Sequence, residues 1–290
     1  MRIVKSTPHN HLRTSSYITE IDANDAVKIA SKRLGKGGVL GVINFNPSEN
    51  EPDQRWSLFF DNLRYDKINT ENGVYIPKLD LLAVHGQEVP TKEGYHVLLL
   101  GTTVKQNVRN NSSLDDVLTL KDKFGAIAIA DHPFHKNGIG NFLKENPEYY
   151  NSFDGYEVFN GIALNNKKYP NANFKASTEF SNIQQNYPNL FPFASDDGHS
   201  VYEIGKSYSN IEMPSDYEVF RNFPEKVVEA LKEGYKANKD KNLGHVKKIS
   251  ILEALDHFAD LALLIKTKQY LGWDPNTKTA HLLEKIGIRI

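Results

Sequence analysis

Histidines and carboxylates that could bind metal ions recur beside short apolar runs of the sequence. His9 and His11 form a His-x-His pair shortly after the first run. Alternate side chains of an extended segment point the same way, so both imidazoles can reach one ion. Glu88 follows a later run, and His96 lies inside the next one, where an imidazole costs desolvation unless it finds a partner.

Two further motifs extend this set. His132 ends another apolar run, and Asp197 and His199 form an Asp-x-His pair after the last one. Cysteine is absent, which excludes thiolate metal sites, disulfides and a cysteine nucleophile. Histidine and carboxylate ligands favour Mn, Fe or Zn in a hydrolytic or redox role. We therefore expect a polynuclear metal site.

The elements that must position these residues are seven predicted β-strands that alternate with helical patterns. The strands are expected at Arg2–Lys5, Val39–Ile43, Leu79–Val84, Tyr95–Leu100, Ala126–Ala130, Gly155–Phe159 and Phe191–Ala194. Apolar runs bounded by Gly, Asp and Asn are typical of buried parallel strands, which predicts an α/β barrel or a doubly wound sheet. In a barrel the strand ends converge on one face, where the candidate ligands would meet.

Capping signals predict helices between the strands. Asn24 is expected to cap a helix over Ala26–Leu34, and Ser112 or Ser113 is expected to cap Leu114–Phe124. The polar stretch from Asn46 to Asn72 is predicted to form a lid or a helical insertion around Arg55–Arg64.

From about Pro224 onward the pattern is only helical, over Lys226–Gly234 and Ile249–Tyr270. We therefore divide the chain into a barrel domain, residues 1–235, and a helical C-terminal extension, residues 236–290, packed on the barrel.

Composition limits the kinds of partner. The 290 residues contain 35 basic and 36 acidic side chains, a net charge of −1, so stable binding of bulk nucleic acid is not expected. A nucleotide or an oligonucleotide end is still possible as a substrate. The chain starts without the apolar region of a signal peptide, and its longest apolar runs, about five residues, are too short to cross a bilayer. We expect a cytoplasmic protein without a membrane partner.

Taken in order, these motifs resemble the PHP family, the polymerase and histidinol phosphatase domains. The matching motifs are His9-x-His11, Gly86-Gln87-Glu88, His96, His132-Pro133, Gly155–Asn160, and Asp197-Gly198-His199 with Ile204-Gly205. The resemblance extends over about residues 1–235. It implies a distorted (β/α)7 TIM-like barrel with metals at the C-terminal ends of its strands. It also implies phosphoester hydrolysis, on substrates from histidinol phosphate to nucleotides and oligonucleotide ends.

The resemblance also implies a ligand set. One metal would be held by His9, His11, Glu88 and Asp197, and Glu88 would bridge to a second metal completed by His96 and His132. Family members with three metals use an Asp after the His-x-His, a His after the second strand and the His of Asp-x-His. Here the first two positions are Ser16 and Asn44-Phe45, and only His199 remains. Phenylalanine cannot bind a metal and serine is a poor ligand, so we predict two divalent ions, Mn, Fe or Zn, with the third site lost.

Two ions bridged by a carboxylate and a water are enough to activate that water and to clamp a phosphoryl group. Glu88 and His199 are therefore the candidate catalytic residues, with His199 as the general acid for the leaving group. Arg13 and Lys136 are candidates for binding the phosphate, and both are equally compatible with ordinary surface charge.

Other polar residues beside the motifs have supporting roles in this interpretation. Asp131 and Asp196 neighbour presumed ligands, and either could orient a histidine. For Glu157 and Asn160 we favour a structural or substrate-positioning role over metal ligation.

The leading prediction is a metal-dependent phosphatase acting on a phosphomonoester, a small phosphorylated metabolite or a nucleotide. The alternative is a degenerate PHP module that binds metal or a phosphorylated ligand without turnover, which the changes at Ser16, Asn44 and Phe45 suggest. An amidohydrolase-type barrel also begins with His-x-His. The early position of Glu88 and the closing Asp-x-His argue against that third class.

Overall fold

The structure is a computed structural model that describes residues 1–13, 18–45, 54–165 and 168–237. Its ten strands are β1 (Arg2–Thr7), β2 (Gly38–Phe45), β3 (Ile68–Asn69), β4 (Gly73–Ile76), β5 (Leu81–Pro90), β6 (His96–Leu100), β7 (Ile127–Ala130), β8 (Gly155–Asn160), β9 (Phe191–Ser195) and β10 (Ser209–Met213). Its α-helices are α1 (Glu20–Leu34), α2 (Arg55–Asn62), α3 (Leu114–Phe124), α4 (Gly140–Glu145), α5 (Ala172–Ile183), α6 (Val219–Asn222) and α7 (Val227–Ala237). Short 3₁₀ turns occupy Pro77–Leu79, Pro147–Ser152, Ile162–Asn165 and Pro224–Lys226.

The strands form one sheet that curls into a nearly closed barrel. Its main path runs β10-β1-β2-β5-β6-β7-β8-β9, and the short strands β3 and β4 extend from β5. The two ends of this path approach each other at Ser209, whose hydroxyl accepts a hydrogen bond from the Ala194 backbone N–H at 2.9 Å. The predicted TIM-like α/β barrel is confirmed, and all seven predicted strands form. Their boundaries shift by two residues or fewer except at the end of β5, which extends to Pro90, six residues beyond the predicted end.

The strands are not all parallel, and this part of the prediction is wrong. β6 runs antiparallel to both of its neighbours, β5 and β7, and β10 runs antiparallel to β1. The reason is the short connection between β5 and β6, residues 91–95, which is a turn with Gly94 at φ +87°. A parallel crossover needs about a dozen residues or more. The start of β6 therefore lies at the same end of the barrel as the ends of β1, β5, β7 and β9, and we call this end the mouth.

Apolar side chains fill the barrel and its outer wall. Inside the barrel lie alternate residues of the strands, such as Val84, Leu98 and Phe193, together with Leu231 and Tyr235 of α7. Outside, α1 and α2 pack on β2 and β5, and α3, α4 and α5 pack on the strands from β6 to β8. Because this alternation puts odd and even residues on opposite faces, polar residues at inward positions near the mouth point at one another.

α7 closes the end of the barrel opposite the mouth. The Tyr235 and Ser6 hydroxyls are hydrogen-bonded at 2.7 Å in the barrel interior. Val228 packs against Gly101, directly after β6, so closely that a Cβ there would lie 2.5 Å from it. This helix is the one predicted at Lys226–Gly234. The predicted C-terminal extension lies outside the described residues from residue 238 onward, as does the helix expected at Ile249–Tyr270.

The helix starts follow local capping chemistry. α3 is confirmed, with the Ser113 hydroxyl accepting from the Asp116 N–H at 3.1 Å and Gly125 at φ +67° ending the helix. The prediction that Asn24 caps α1 is wrong. Thr19 caps this helix through a capping box with Asp22, and Asn24 lies inside it.

The predicted helical insertion around Arg55–Arg64 is confirmed as α2. In the part of the chain that the structure describes, no helix has both the length and the apolar character needed to cross a bilayer.

We expect the ion pair between Arg2 and Asp80 to stabilise the fold above acidic pH. Its two hydrogen bonds are 2.6 and 2.8 Å long, and the Arg2 guanidinium holds the pKa of Asp80 below its ordinary value of 3.8. The contribution is therefore present above about pH 4 and lost as the pH falls through the lowered pKa. Asp80→Asn should lower the unfolding free energy by about 1–2 kcal/mol at pH 7 and by less at pH 3.

Asparagine is suitable at this position because it tolerates the left-handed backbone of Asp80, φ +44°. The matched control is Asp25→Asn, which removes an exposed pair with Lys28 and should cost less than about 0.5 kcal/mol at either pH. Urea unfolding at both pH values measures the effect. An Asp80→Asn deficit that does not shrink at pH 3 would contradict the assignment.

Candidate metal centre

All seven residues predicted as metal ligands lie together at the mouth of the barrel. They follow β1 (His9 and His11), end β5 (Glu88), begin β6 (His96), follow β7 (His132) and follow β9 (Asp197 and His199). Nitrogen and oxygen atoms of these residues form overlapping groups whose members all lie within 4.8 Å of one another. Ligand atoms about 2.0–2.2 Å from a shared ion would have similar spacing after small adjustments. The reversal of β6 explains why His96, at the start of its strand, joins residues at the ends of theirs.

The carboxylate of Glu88 is shared between two groups of histidines. Its Oε2 lies 3.0 Å from His11 Nε2 and 3.8 Å from His9 Nε2. Its Oε1 lies 3.3 Å from His132 Nε2 and makes a short contact with His96 Nδ1. One oxygen therefore faces each pair of imidazoles, which is the arrangement that a carboxylate bridging two cations requires.

The His-x-His pair points both imidazoles at one position. The Nε2 atoms of His9 and His11 are 3.1 Å apart. His11 Nδ1 lies 3.2 Å from the carbonyl oxygen of Ile43 and can donate to it, which leaves Nε2 as the ligand atom. Asp197 Oδ1 approaches the same position, 3.5 Å from His9 Nε2 and 3.7 Å from His11 Nε2.

Backbone hydrogen bonds join the two segments that carry this group. The His11 N–H donates to the Gly198 carbonyl at 2.7 Å, and Asn10 and Gly198 form an isolated β-bridge. Asp197 and His132 both have positive φ, +50° and +24°, which is unfavourable for residues other than glycine. The surrounding structure thus holds two candidate ligands in strained conformations, as is common at functional sites.

Asp131 and Glu157 also belong to the centre. Asp131 Oδ1 lies 3.2 Å from His9 Nδ1, and its Oδ2 lies 3.4 Å from His132 Nε2. Both Asp131 oxygens are fully buried without a hydrogen bond of acceptable geometry, and so is His132 Nδ1. Asp131 groups with Glu88, His96 and His132 as a possible ligand. Burying a carboxylate is costly unless it is paired or protonated, and a metal ion among these ligand atoms would pair it, so this donor set fits a metal ion.

Glu157 organises the segments around it. It accepts hydrogen bonds from the His132 N–H at 2.8 Å, from Asn160 Nδ2 at 3.0 Å and from the Ser195 hydroxyl. Asn160 Nδ2 also lies 3.1 Å from Asp197 Oδ2. The sequence predicts a structural or substrate-positioning role for Glu157 and Asn160, and these hydrogen bonds are structural contacts. Glu157 also groups with His9 and Asp131 as residues that could hold an ion. Glu157 and Asn160 are polar side chains in β8, a strand that ends at the mouth, and Asn160 is its last residue. Their position in this strand is the feature of the sequence that could have indicated a place in the site.

The electrostatics of the mouth favour positive charge at its centre. Burial opposes the charged form of His132, but Asp131 and Glu88 outweigh burial and raise its pKa to about 10. Burial likewise opposes the charge on Glu88, yet His96, His11 and His132 hold its pKa well below the ordinary value. For Asp131 burial dominates and raises the pKa to about 7. Glu88 therefore stays ionised next to the histidines, which is the electrostatic condition for binding a divalent cation.

Phe45 and Asn44 occupy the positions where the three-metal pattern would have ligands. The centroid of the Phe45 ring lies 5.9 Å from that of His11 and 5.6 Å from that of His96. An apolar ring therefore packs against the imidazoles of these two candidate ligands. Asn44 Oδ1 accepts a hydrogen bond from the Trp56 N–H in α2 at 3.0 Å. His199, His11 and Asp197 still form a group that could hold an ion. Ser16 lies outside the described residues.

The remaining candidates have different surroundings. The Arg13 guanidinium contacts Asp22 at the start of α1, with Nη2 2.5 Å from Asp22 Oδ1. Lys136 is exposed on the turn after β7. Asp196 accepts hydrogen bonds from the Thr7 hydroxyl and from two backbone N–H groups of the following segment. It therefore shapes that segment and orients none of the histidines that the structure describes.

The fold and the site together define an α/β barrel with a candidate polynuclear metal centre at its mouth. A crystal structure of PsfC from Pseudomonas syringae PB-5123 has a similar fold, with a TM-score of 0.55 and 12% identity over 91% of this chain and 100% of that chain. A crystal structure of the lesion-specific endonuclease PfuEndoQ from Pyrococcus furiosus gives a TM-score of 0.49 and 12% identity, over 78% of this chain and 56% of that chain. No protein-family model and no curated protein sequence matches the chain. At these identities the likeness to PsfC describes the fold alone.

We expect His11→Asn to remove metal from the protein while His85→Asn leaves the metal content unchanged. His85 is also buried, but its side chain lies on the outer face of β5, opposite to Glu88 and against Trp56 of α2, with Nδ1 2.8 Å from the Thr102 carbonyl oxygen. Asparagine can keep the donated hydrogen bond in both variants but supplies no imidazole ligand. Elemental analysis of protein purified without chelator should find about two equivalents in wild type and about one fewer in His11→Asn. Equal metal content in the two variants would exclude His11 as a ligand.

Asp131→Asn should weaken metal binding by about 10- to 100-fold, whether Asp131 binds the ion itself or orients His9. Isothermal titration of the chelator-treated protein with Mn²⁺ or Zn²⁺ measures this change. The matched control is Asp154→Asn, which changes a partly buried aspartate that contacts Lys121 and Lys232, away from the centre. Unchanged affinity in Asp131→Asn would show that this carboxylate has no part in the site.

Proposed function

We propose that this protein is a metal-dependent phosphoesterase of the PHP type that hydrolyses a phosphomonoester, either a small phosphorylated metabolite or a nucleotide. The observation that carries the proposal is the division of the Glu88 carboxylate between two pairs of imidazoles. A bridging carboxylate between two histidine-rich sites suits a dinuclear centre better than a single structural ion.

In this proposal His9, His11, Asp197 and one oxygen of Glu88 would hold one ion. His96, His132 and the other Glu88 oxygen would hold the second, with Asp131 beside them. Such a pair supplies an activated water and neutralises phosphoryl charge when bound. Mn, Fe and Zn all suit these ligands.

His199 is the candidate proton donor for the leaving group. Its side chain is 31% exposed, whereas those of the other six candidate ligands are 14% exposed or less, so substrate can reach it. Its Nδ1 lies 2.9 Å from the Asp197 carbonyl oxygen and can donate to it. This contact leaves Nε2 as the atom that would donate a proton to the ester oxygen of the leaving group.

For the phosphate group Lys136 is the better of the two proposed cations. It is exposed on the turn that carries His132. Arg13 is engaged by Asp22, so using it would require this ion pair to open.

A second candidate function is metal or phosphate binding without turnover. It is favoured by Phe45, whose ring lies where the three-metal pattern has a ligand. The two functions share the same metal centre and differ only in hydrolysis, so an activity measurement distinguishes them.

The test compares two substrates in His199→Asn. With metal bound, wild type should release phosphate from p-nitrophenyl phosphate and from a nucleoside 5′-monophosphate. The variant should lose about 10²- to 10⁴-fold in kcat on the nucleotide, whose alkoxide leaving group needs a proton. The loss should be much smaller on p-nitrophenyl phosphate, whose leaving group is stable without one.

The control variant His85→Asn should keep wild-type rates on both substrates. Equal losses of His199→Asn on the two substrates would exclude the general-acid role. Metal-loaded wild type that binds about two ions but releases no phosphate from any monoester would support the second candidate function instead.

A further inference from the structure

A second cavity lies on the outer wall of the barrel, away from the metal ligands. It has a volume of about 530 Å³ and is formed by α1, β1 and the segment between β9 and β10. Its polar and aromatic lining consists of Lys5, Lys32, Arg33, Tyr202, Lys206 and Tyr208. Lys5 is on the outward face of β1, whereas its neighbour Ser6 bonds Tyr235 inside the barrel. We call this cavity the basic pocket.

The basic pocket concentrates positive charge in a chain whose net charge is −1. Four of its lining residues are cations, and no Asp or Glu is among the described residues that line it. Lys206 Nζ is shielded from solvent, and Lys5 Nζ lies 4.3 Å above the Tyr208 ring. Cations that share one cavity repel one another, and a bound anion reverses that cost.

We propose that the basic pocket binds a small molecule that carries a phosphate group, and that its occupancy alters the metal centre. Lysine ammonium groups on several sides suit a tetrahedral anion, which presents oxygens in several directions. Tyr202 and Tyr208 provide flat apolar faces for the rest of such a molecule. The volume exceeds what a phosphate ion alone would fill.

One segment forms a wall of the basic pocket and also carries two candidate metal ligands. Asp196, directly before Asp197, accepts hydrogen bonds from the Gly205 and Ser207 N–H groups, each at 2.5 Å. Glu203 accepts from the His199 N–H at 2.7 Å. Arg33 donates from the pocket side to the carbonyl oxygens of Tyr202 and Ile204, both at 2.7 Å.

These contacts connect the pocket lining to the metal ligands through a few residues. A ligand that shifts Tyr202 or Lys206 therefore moves the segment that holds Asp197 and His199. By linkage, whatever change the anion causes in metal affinity, the metal causes equally in anion affinity.

The first test uses the full chain freed of metal with a chelator and titrated calorimetrically with inorganic phosphate and with pyrophosphate. Removing the metal takes away the ions that would bind phosphate at the mouth, and the pocket variant below distinguishes binding in the basic pocket from any binding that remains at the mouth. The double variant Lys5→Gln/Lys32→Gln should bind at least tenfold more weakly than wild type. Both side chains project from the outer surface, so the variant is expected to fold.

Lys28→Gln is the matched control, since Lys28 is on the same helix but pairs with Asp25 at 3.3 Å outside the pocket. It should bind both anions as wild type does. Equal affinities in the double variant and wild type overturn the proposal, and so does an absence of anion binding by the metal-free wild type.

The second test measures Mn²⁺ affinity with and without pyrophosphate in wild type and in the double variant. Direct contact between pyrophosphate and Mn²⁺ affects both proteins alike, so a larger change in wild type reports the coupling. An equal change in both proteins overturns the coupling. This arm rests on the proposed metal centre, whose own failure would appear separately as absent Mn²⁺ binding without pyrophosphate.

Discussion

The arrangement at the barrel mouth depends on one buried carboxylate that faces four imidazoles. Glu88 is almost fully inaccessible, and its two oxygens contact two different pairs of histidines. Charges removed from water cost several kcal/mol each unless partners offset the loss. Asp131, Glu157 and Asp197 add further buried carboxylates to the same space. A fold that needed only a stable core would place apolar side chains at these positions, so we interpret the cluster as a cation-binding centre.

The direction of one strand decides whether this cluster can form. If β6 ran parallel to β5, its first residue would lie at the opposite end of the barrel, and His96 would be separated from Glu88 by the length of the strand. The turn at residues 91–95 reverses the chain, and Glu88 then pairs with Leu98 in an antiparallel register. Thus a short connection brings the start of β6 to the ends of the other strands.

Close backbone packing then positions the His-x-His segment. A Cβ on Gly41 would lie 1.8 Å from the Pro8 carbonyl oxygen, so only glycine allows β2 to approach the segment that carries His9 and His11. On the other side the Asn10–Gly198 bridge joins this segment to Asp197 and His199. The ligands therefore come from separate parts of the chain but are held by main-chain contacts, which leaves their side chains little freedom to adjust independently.

The features that could be predicted from the amino-acid sequence depend on local rules. Apolar runs and their turns predicted seven strands, and Ser112 or Ser113 predicted the start of α3, which Ser113 caps. The motif order pointed to His9, His11, Glu88, His96, His132, Asp197 and His199, which the structure brings together. Each of these signals lies within a few neighbouring residues.

Other features could not be predicted from the sequence, because they depend on contacts with residues far away in the chain. The polar alternating strand β10 is stabilised by β1, about two hundred residues earlier in the sequence, and no local apolar run marks it. Asp131 belongs to the centre because its carboxylate contacts His9. Arg13 forms an ion pair with Asp22 because the start of α1 lies beside Arg13. Residue type and spacing tell which groups can bind a metal or an anion. Which groups face one another is decided by strand direction and packing between distant segments.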